Sequence, residues 1–197
     1  MNSRVVALYV DPRGPYPSLV ADWYDEARDA RTYGGDLPVV AHPPCGPWGR
    51  LRHLSRHDNP LSAIHALRIV RRNGGVLEHP FGSLLWEAGG MPKPGELPDA
   101  FGGRTIEVCQ CDFGHVARKR TWVYVVGATS LPPMPPSREP THWVSGGRGR
   151  EGKKAKTTPV PPGIKVCSAI QRRRTPRAFA EWLIEIADGA RVERRSA

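Results

Sequence analysis

The 197-residue chain carries 29 Lys and Arg against 19 Asp and Glu, a net charge of +10, with 39% hydrophobic residues and six Trp. That apolar content excludes an intrinsically disordered chain, four cysteines exclude a disulfide-stapled mini-protein, and no window approaches the ~20 apolar residues of a membrane span. The basic excess favours an anionic partner, nucleic acid first, and 21 Gly with 21 Pro imply many turns and a long irregular segment.

Residues 4–10 (RVVALYV) are a continuous β-branched and aromatic run, which predicts a strand buried on both faces, as in a parallel sheet. The turn-rich stretch DPRGPYP follows at 11–17, and residues 18–33 read as a short helix or an ordered loop. A second buried strand is expected at 37–41. Pro43 and Pro44 stop it, because proline has no N–H to give a ladder. Residues 61–73 carry apolar side chains at 61, 64, 67 and 70 and end at Gly74 and Gly75, an amphipathic helix with its stop. Residues 75–80 form the next short strand, closed by Pro80; strand, helix, strand predicts a right-handed parallel βαβ unit.

A short helix begins within 81–86, residues 89–103 are loop, and 105–111 with 121–126 form an antiparallel pair joined by a basic turn. Residues 131–163 cannot build a core and read as a loop or partly disordered insertion. The last helix is expected at 177–187, with Thr175 as N-cap and Phe179, Trp182, Leu183 and Ile186 on its apolar face. The fold class is therefore α/β: a single Rossmann-like domain made of 1–130 and 166–190, its mostly parallel sheet ending in an antiparallel strand pair. Residues 131–165 are the insertion, placed by position as a DNA-recognition element, and 191–197 a basic tail. The chain enters its first strand with no apolar leader-like segment, so a cytoplasmic protein with reduced thiols and no membrane partner is expected. No protein partner can be identified from the sequence.

The chemistry centres on Cys45, a thiol held on a proline-stiffened turn at a strand's C-terminal end, where ligands bind in open α/β sheets. Glu78 is expected at the neighbouring strand end, and Arg118, Lys119 and Arg120 on the basic turn. A cysteine, a carboxyl and a guanidinium converging on one extruded pyrimidine would allow thiolate addition at C6, stabilisation at N3 and O2, and transfer of an electrophile to C5. The plainer readings are a small buried thiol, a salt-bridging or capping carboxylate and a solvated charge run. His42 and His79, each beside a proline, are satisfied polar residues or proton shuttles.

His42, Pro43, Pro44 and Cys45 resemble the Pro-Cys loop of DNA cytosine-C5 methyltransferases. Leu77, Glu78, His79 and Pro80 resemble the Glu-Asn-Val motif of that family, in the Glu-Asn-Pro form of short phage-type members. Residues 111–114 with 118–121 resemble their later Arg-Lys-Arg-Thr segment, and Thr175, Pro176, Phe179 and Ala180 their closing helix. The resemblance covers roughly 37–127 and 170–187. It implies a DNA-modifying transferase with Cys45 as nucleophile, Glu78 at N3, and Arg118 or Arg120 holding the base. His42, Pro44, Trp48, His79, Pro80 and Lys119 would line the substrate. It also implies S-adenosylmethionine as donor. The family's Gly-rich opening loop is replaced here by residues 10–16, leaving Asp11, Gly14 and Tyr16 as the cofactor-binding candidates. His79 stands where the family has Asn, and Ala117 near a usual Gln.

Two further readings stand beside this one. A non-catalytic DNA-binding relative would keep the fold and the positive surface. A zinc protein would use Cys109, Cys111 and His115, with Cys45 or Cys167 as the fourth ligand; the spacing is not a usual knuckle, and buried strand cysteines explain the same letters.

Overall fold

The computed structural model describes residues 4–49, 52, 59–144, 160 and 162–192. Most of the basic tail (193–197) and the centre of the expected insertion (145–159 and 161) lie outside the described residues.

Six strands form one sheet in the order β2-β1-β3-β4-β6-β5. β1 (Val6–Leu8), β2 (Asp22–Tyr24), β3 (Val39–Ala41) and β4 (Gly75–Pro80) pair in parallel. β6 (Arg120–Val126) runs antiparallel to both β4 and β5 (Arg104–Cys109). The chain is thus α/β with a mostly parallel sheet and one reversed strand. β1 and β3 are buried throughout, which is why their sequences are uninterrupted apolar runs rather than alternating ones.

Each face of the sheet carries a helix. α1 (Pro60–Asn73) covers one face, with Ala63, Ala66, Leu67 and Val70 packed on Leu8, Val39, Leu77 and Trp86. Asn59 caps its first turn through the Leu61 N–H, and Gly74, at φ 83°, ends it. α4 (Arg177–Asp188) covers the other face through Phe179, Leu183 and Ile186, which meet Ala7, Val40, Val76 and Val123. Each such buried side chain stabilises the packing by about 1.5–3 kcal/mol. Phe113, from the turn after β5, rests against Phe179 and Trp182 with ring centroids 5.0 and 5.3 Å away. Gly75, at φ 111°, lets β4 approach β3: a Cβ there would stand 2.1 Å from the Val39 carbonyl oxygen.

Three features differ from the expectation. β2 lies inside a stretch read as helix or loop. Thr175 does not cap α4, whose N-cap position is Pro176. Residues 131–166 are not wholly irregular: β7 (His142–Trp143) pairs in parallel with β8 (Lys165–Val166), ahead of the short α3 (Ala169–Arg173). A four-residue α2 (Leu85–Ala88) follows the β4 turn. Among the described residues no helix is long and apolar enough to cross a membrane.

Candidate functional site

The parallel block delivers the C-terminal ends of β1, β3 and β4 to one edge. β1 lies between β2 and β3, so successive connections leave it in opposite directions, and the edge beside it is a topological switch point. Tyr9, at this end of β1, has φ 60°, the one positive φ outside glycine among the described residues. The β3–β4 register pairs Ala41 with Leu77, so the next residue of each strand, His42 and Glu78, meet.

They meet directly. His42 Nδ1 lies 2.9 Å from Glu78 Oε2, and His42 Nε2 lies 2.5 Å from the Tyr16 hydroxyl. An ionised carboxylate only accepts, so Nδ1–H donates to Glu78, and in the neutral ring Nε2 accepts from Tyr16. On the other side Gln110 Nε2 donates to Glu78 Oε1 and to Thr121 Oγ1, both at 3.0 Å, and the Thr121 hydroxyl donates to the Lys119 carbonyl at 3.2 Å. Burial pushes the Glu78 carboxyl up, but the His42 hydrogen bond and the nearby Lys119 charge outweigh it and bring it down to about 2. Burial, with Glu78 close by, holds the Tyr16 phenol well above its ordinary value.

Strand alternation sends the next residue the other way. His79 is buried on the α1 face, its Nδ1 2.7 Å from Ser83 Oγ, and burial lowers it to about 4 despite the pull of Glu78. Among the described residues, three buried polar atoms have no hydrogen-bond partner: His79 Nε2, Trp48 Nε1 and Gln110 Oε1.

No family model matches the chain, and no curated protein matches it.

Of the candidate site residues, the structure brings His42, Glu78 and Tyr16 into direct contact; the expected convergence was of Cys45, Glu78 and an arginine. Cys45 is exposed, three residues beyond His42 on a turn closed by its own carbonyl, which accepts from the Trp48 and Gly49 N–H groups at 3.1 and 2.8 Å. Pro44 and Pro80 are half-buried, and Trp48 packs on the α1-side core, its carbonyl holding the Leu84 N–H. Lys119 is the cation felt by Glu78. Arg118 is exposed. Arg120 is not brought to Glu78: it shares the α1 side of β6 with Trp122 and Tyr124, pairs with Glu107 at 2.5 Å and lies 3.5 Å over the Phe81 ring. His79, expected at the substrate, is 1% exposed and faces Ser83 instead.

The opening-loop candidates divide. Tyr16 is buried against His42, whereas Asp11 and Gly14 form a turn in which Asp11 accepts from the Arg13 guanidinium and the Gly14 N–H reaches the Asp11 carbonyl at 2.8 Å. Beside that turn a cleft of about 570 Å³ opens between the ends of β1 and β2, walled by Asp11, Arg13, Asp25 and Glu26. Asp25 and Glu26 were not singled out from sequence; recognising them requires knowing that β2 ends there. Gln110 and Thr121 were missed for a similar reason, because only the β4–β6–β5 register shows that they face Glu78.

The Cys109 and Cys111 sulfurs lie 2.9 Å apart. His115 is turned away from them, its ring nitrogens 2.8 and 3.0 Å from the Ala117 and Gln171 carbonyl oxygens. Among the described residues no three His, Cys, Asp or Glu side chains come together as metal ligands.

Proposed function

We propose that the protein modifies cytosine in DNA, in the manner of the cytosine-C5 methyltransferases its motifs resemble. The observation carrying this reading is the meeting of the Cys45 loop with Glu78 through the 2.9 Å His42 bond at a switch-point edge. The parallel block followed by a reversed β6 also fits the Rossmann-like sheet that the resemblance implies. In this mechanism an extruded cytosine enters beside Cys45, and the thiolate forms a bond to C6. The C5–C6 electron pair moves into the ring as N3 takes the proton given up by the Cys45 thiol, passed by way of Glu78, leaving C5 nucleophilic. Glu78 accepts the hydrogens of the 4-amino group. His42, backed by Tyr16, holds the carboxylate in place and is the proton reserve behind it. After C5 has taken up its new group, its proton passes to solvent, the S–C6 bond breaks and the N3 proton returns by way of Glu78 to restore the Cys45 thiol.

A nucleoside-bearing donor such as S-adenosylmethionine fits the cleft at the β1 and β2 ends. Asp25 and Glu26 stand at the end of the second strand, where an acidic side chain binds ribose hydroxyls in dinucleotide-type sheets. Such a donor would supply the electrophilic methyl group.

The alternative of a non-catalytic DNA-binding relative is favoured by one observation: both Glu78 oxygens already accept from protein donors. DNA containing 5-fluorocytosine, presented together with S-adenosylmethionine, separates the two readings, because once C5 has taken the methyl group it cannot shed fluorine the way it sheds a proton, and the adduct persists. Wild type should form a covalent complex stable to denaturant, and Cys45→Ser should form none while still binding DNA. A wild type that binds this DNA without ever trapping it would leave the binding reading in its place.

A further inference from the structure

Two basic stretches far apart in sequence meet on one surface. The turn between β5 and β6 carries Arg118 and Lys119, and α3 with its C-cap residue carries Arg172, Arg173 and Arg174. His115, within the turn, donates from Nε2–H to the Gln171 carbonyl at 3.0 Å and so fastens α3 to it. A strap joins from the side. The Val116 carbonyl accepts the Thr141 and His142 N–H groups at 2.9 Å, and the Arg138 N–H donates to Asp112 Oδ1 at 2.9 Å. The Arg138 guanidinium lies beside Gly114, 4.0 Å from where a Cβ would stand.

None of these six cations takes part in an ion pair among the described residues. The contacts that gather them are hydrogen bonds to backbone groups and to Asp112. Apart from Lys119, which feels the Glu78 charge, these cations are held close without paired counter-charges among the described residues and repel one another, a cost that an anionic ligand removes. Five of the six are arginines, whose planar forks match phosphate oxygens in pairs.

We infer that this surface, the β5–β6 turn together with α3 and Arg138, grips the phosphate backbone of DNA beside the pocket. The inference rests on the base-modifying reading and names the part of the molecule that positions its substrate. The same turn reaches the pocket: the Lys119 carbonyl accepts both the Gln110 N–H at 3.0 Å and the Thr121 hydroxyl at 3.2 Å, and Gln110 holds Glu78. Phosphate contacts on this turn fix register and orientation, and the pocket receives the base.

Fluorescence anisotropy with a labelled DNA duplex, titrated from roughly 50 to 200 mM salt, tests this, since each phosphate contact contributes about one unit to the slope of log affinity against log salt. Arg172→Ala/Arg173→Ala/Arg174→Ala should lower the slope by about 2–3, and Arg118→Ala/Arg138→Ala by about 1–2. Arg68→Ala/Lys93→Ala, exposed elsewhere, should leave it unchanged. Circular dichroism confirms that each variant is folded. An unchanged slope in both patch variants, with DNA still bound and 5-fluorocytosine still trapped, overturns the surface and leaves the base-modifying reading standing. A wild type that binds no DNA at low salt overturns both. Phosphatidylserine vesicles bound as tightly as DNA, with the same sensitivity to the patch variants, would assign the surface to membranes and overturn the inference.

Discussion

Glu78 and His79 are neighbours on β4, yet the two sides of the strand treat charge in opposite ways. On the α4 side Glu78 is buried but surrounded by donors: His42, Gln110 and the nearby Lys119 keep it ionised. On the α1 side His79 is equally enclosed but meets Ser83, Trp86 and the core, and it stays neutral. The difference shows that burial alone does not decide protonation at this edge. The partners do: Glu78 has two donors and a nearby cation, whereas His79 has the neutral Ser83 hydroxyl. The side facing Tyr16, His42 and Gln110 is therefore the one that holds a charge, and the His79 side packs on the core.

The most severe way to break the contrast is to remove the carboxylate. Glu78→Ala leaves His42, Gln110 and Lys119 without their acceptor, and urea denaturation should show a loss of about 3–5 kcal/mol. A loss below about 1 kcal/mol would mean that the network contributes nothing to the fold. A pH series of unfolding free energies tests both sides at once. His79 has its folded value lowered from 6.5 to about 4, so the unfolded chain takes up the proton first as pH falls. Its contribution is complete above pH 6.5 and lost on descending to about 4, a decline of about 3 kcal/mol that His79→Asn should abolish. Glu78 is lowered from 4.5 to about 2, so its contribution is complete above pH 4.5 and lost on descending to about 2. Glu78→Gln should erase only this lower limb.

Smaller effects sharpen the picture. Tyr16→Phe removes the donor to His42 Nε2 and should cost about 1–2 kcal/mol, with a changed 15N shift for that ring nitrogen. An unaltered shift would show that the 2.5 Å contact does not hold the tautomer. Arg120→Ala should cost less than about 1 kcal/mol, its ion pair with Glu107 being half exposed. Because Arg120 lies on the His79 side, its loss should leave trapping of 5-fluorocytosine DNA intact; abolished trapping would return it to the base-holding role.

The sequence was most readable where one pattern dominated. The bounds of β4 follow from Gly75 and Pro80, and α1 and α4 from apolar spacing closed by Gly74 or opened near Pro176. β2 was hidden because three residues, the first an Asp, become a strand only through pairing with β1. The meeting of His42 with Glu78 could be anticipated from two proline-ended strands in one βαβ unit. The placing of Gln110, Thr121 and Arg120 could not, because it depends on the register of β6 against two neighbours, and a shift by one residue would exchange their faces.

The seating of Phe113 on Phe179 and Trp182 bears on the order in which the protein is made. The turn that carries Gln110 and Phe113 lies on a floor built from the last helix, so a nascent chain still lacking α4 has that turn without its support. The seat of that turn thus forms only once α4 has been made, and a polypeptide terminated before residue 177 would leave Phe113 and the α4 face of the sheet uncovered.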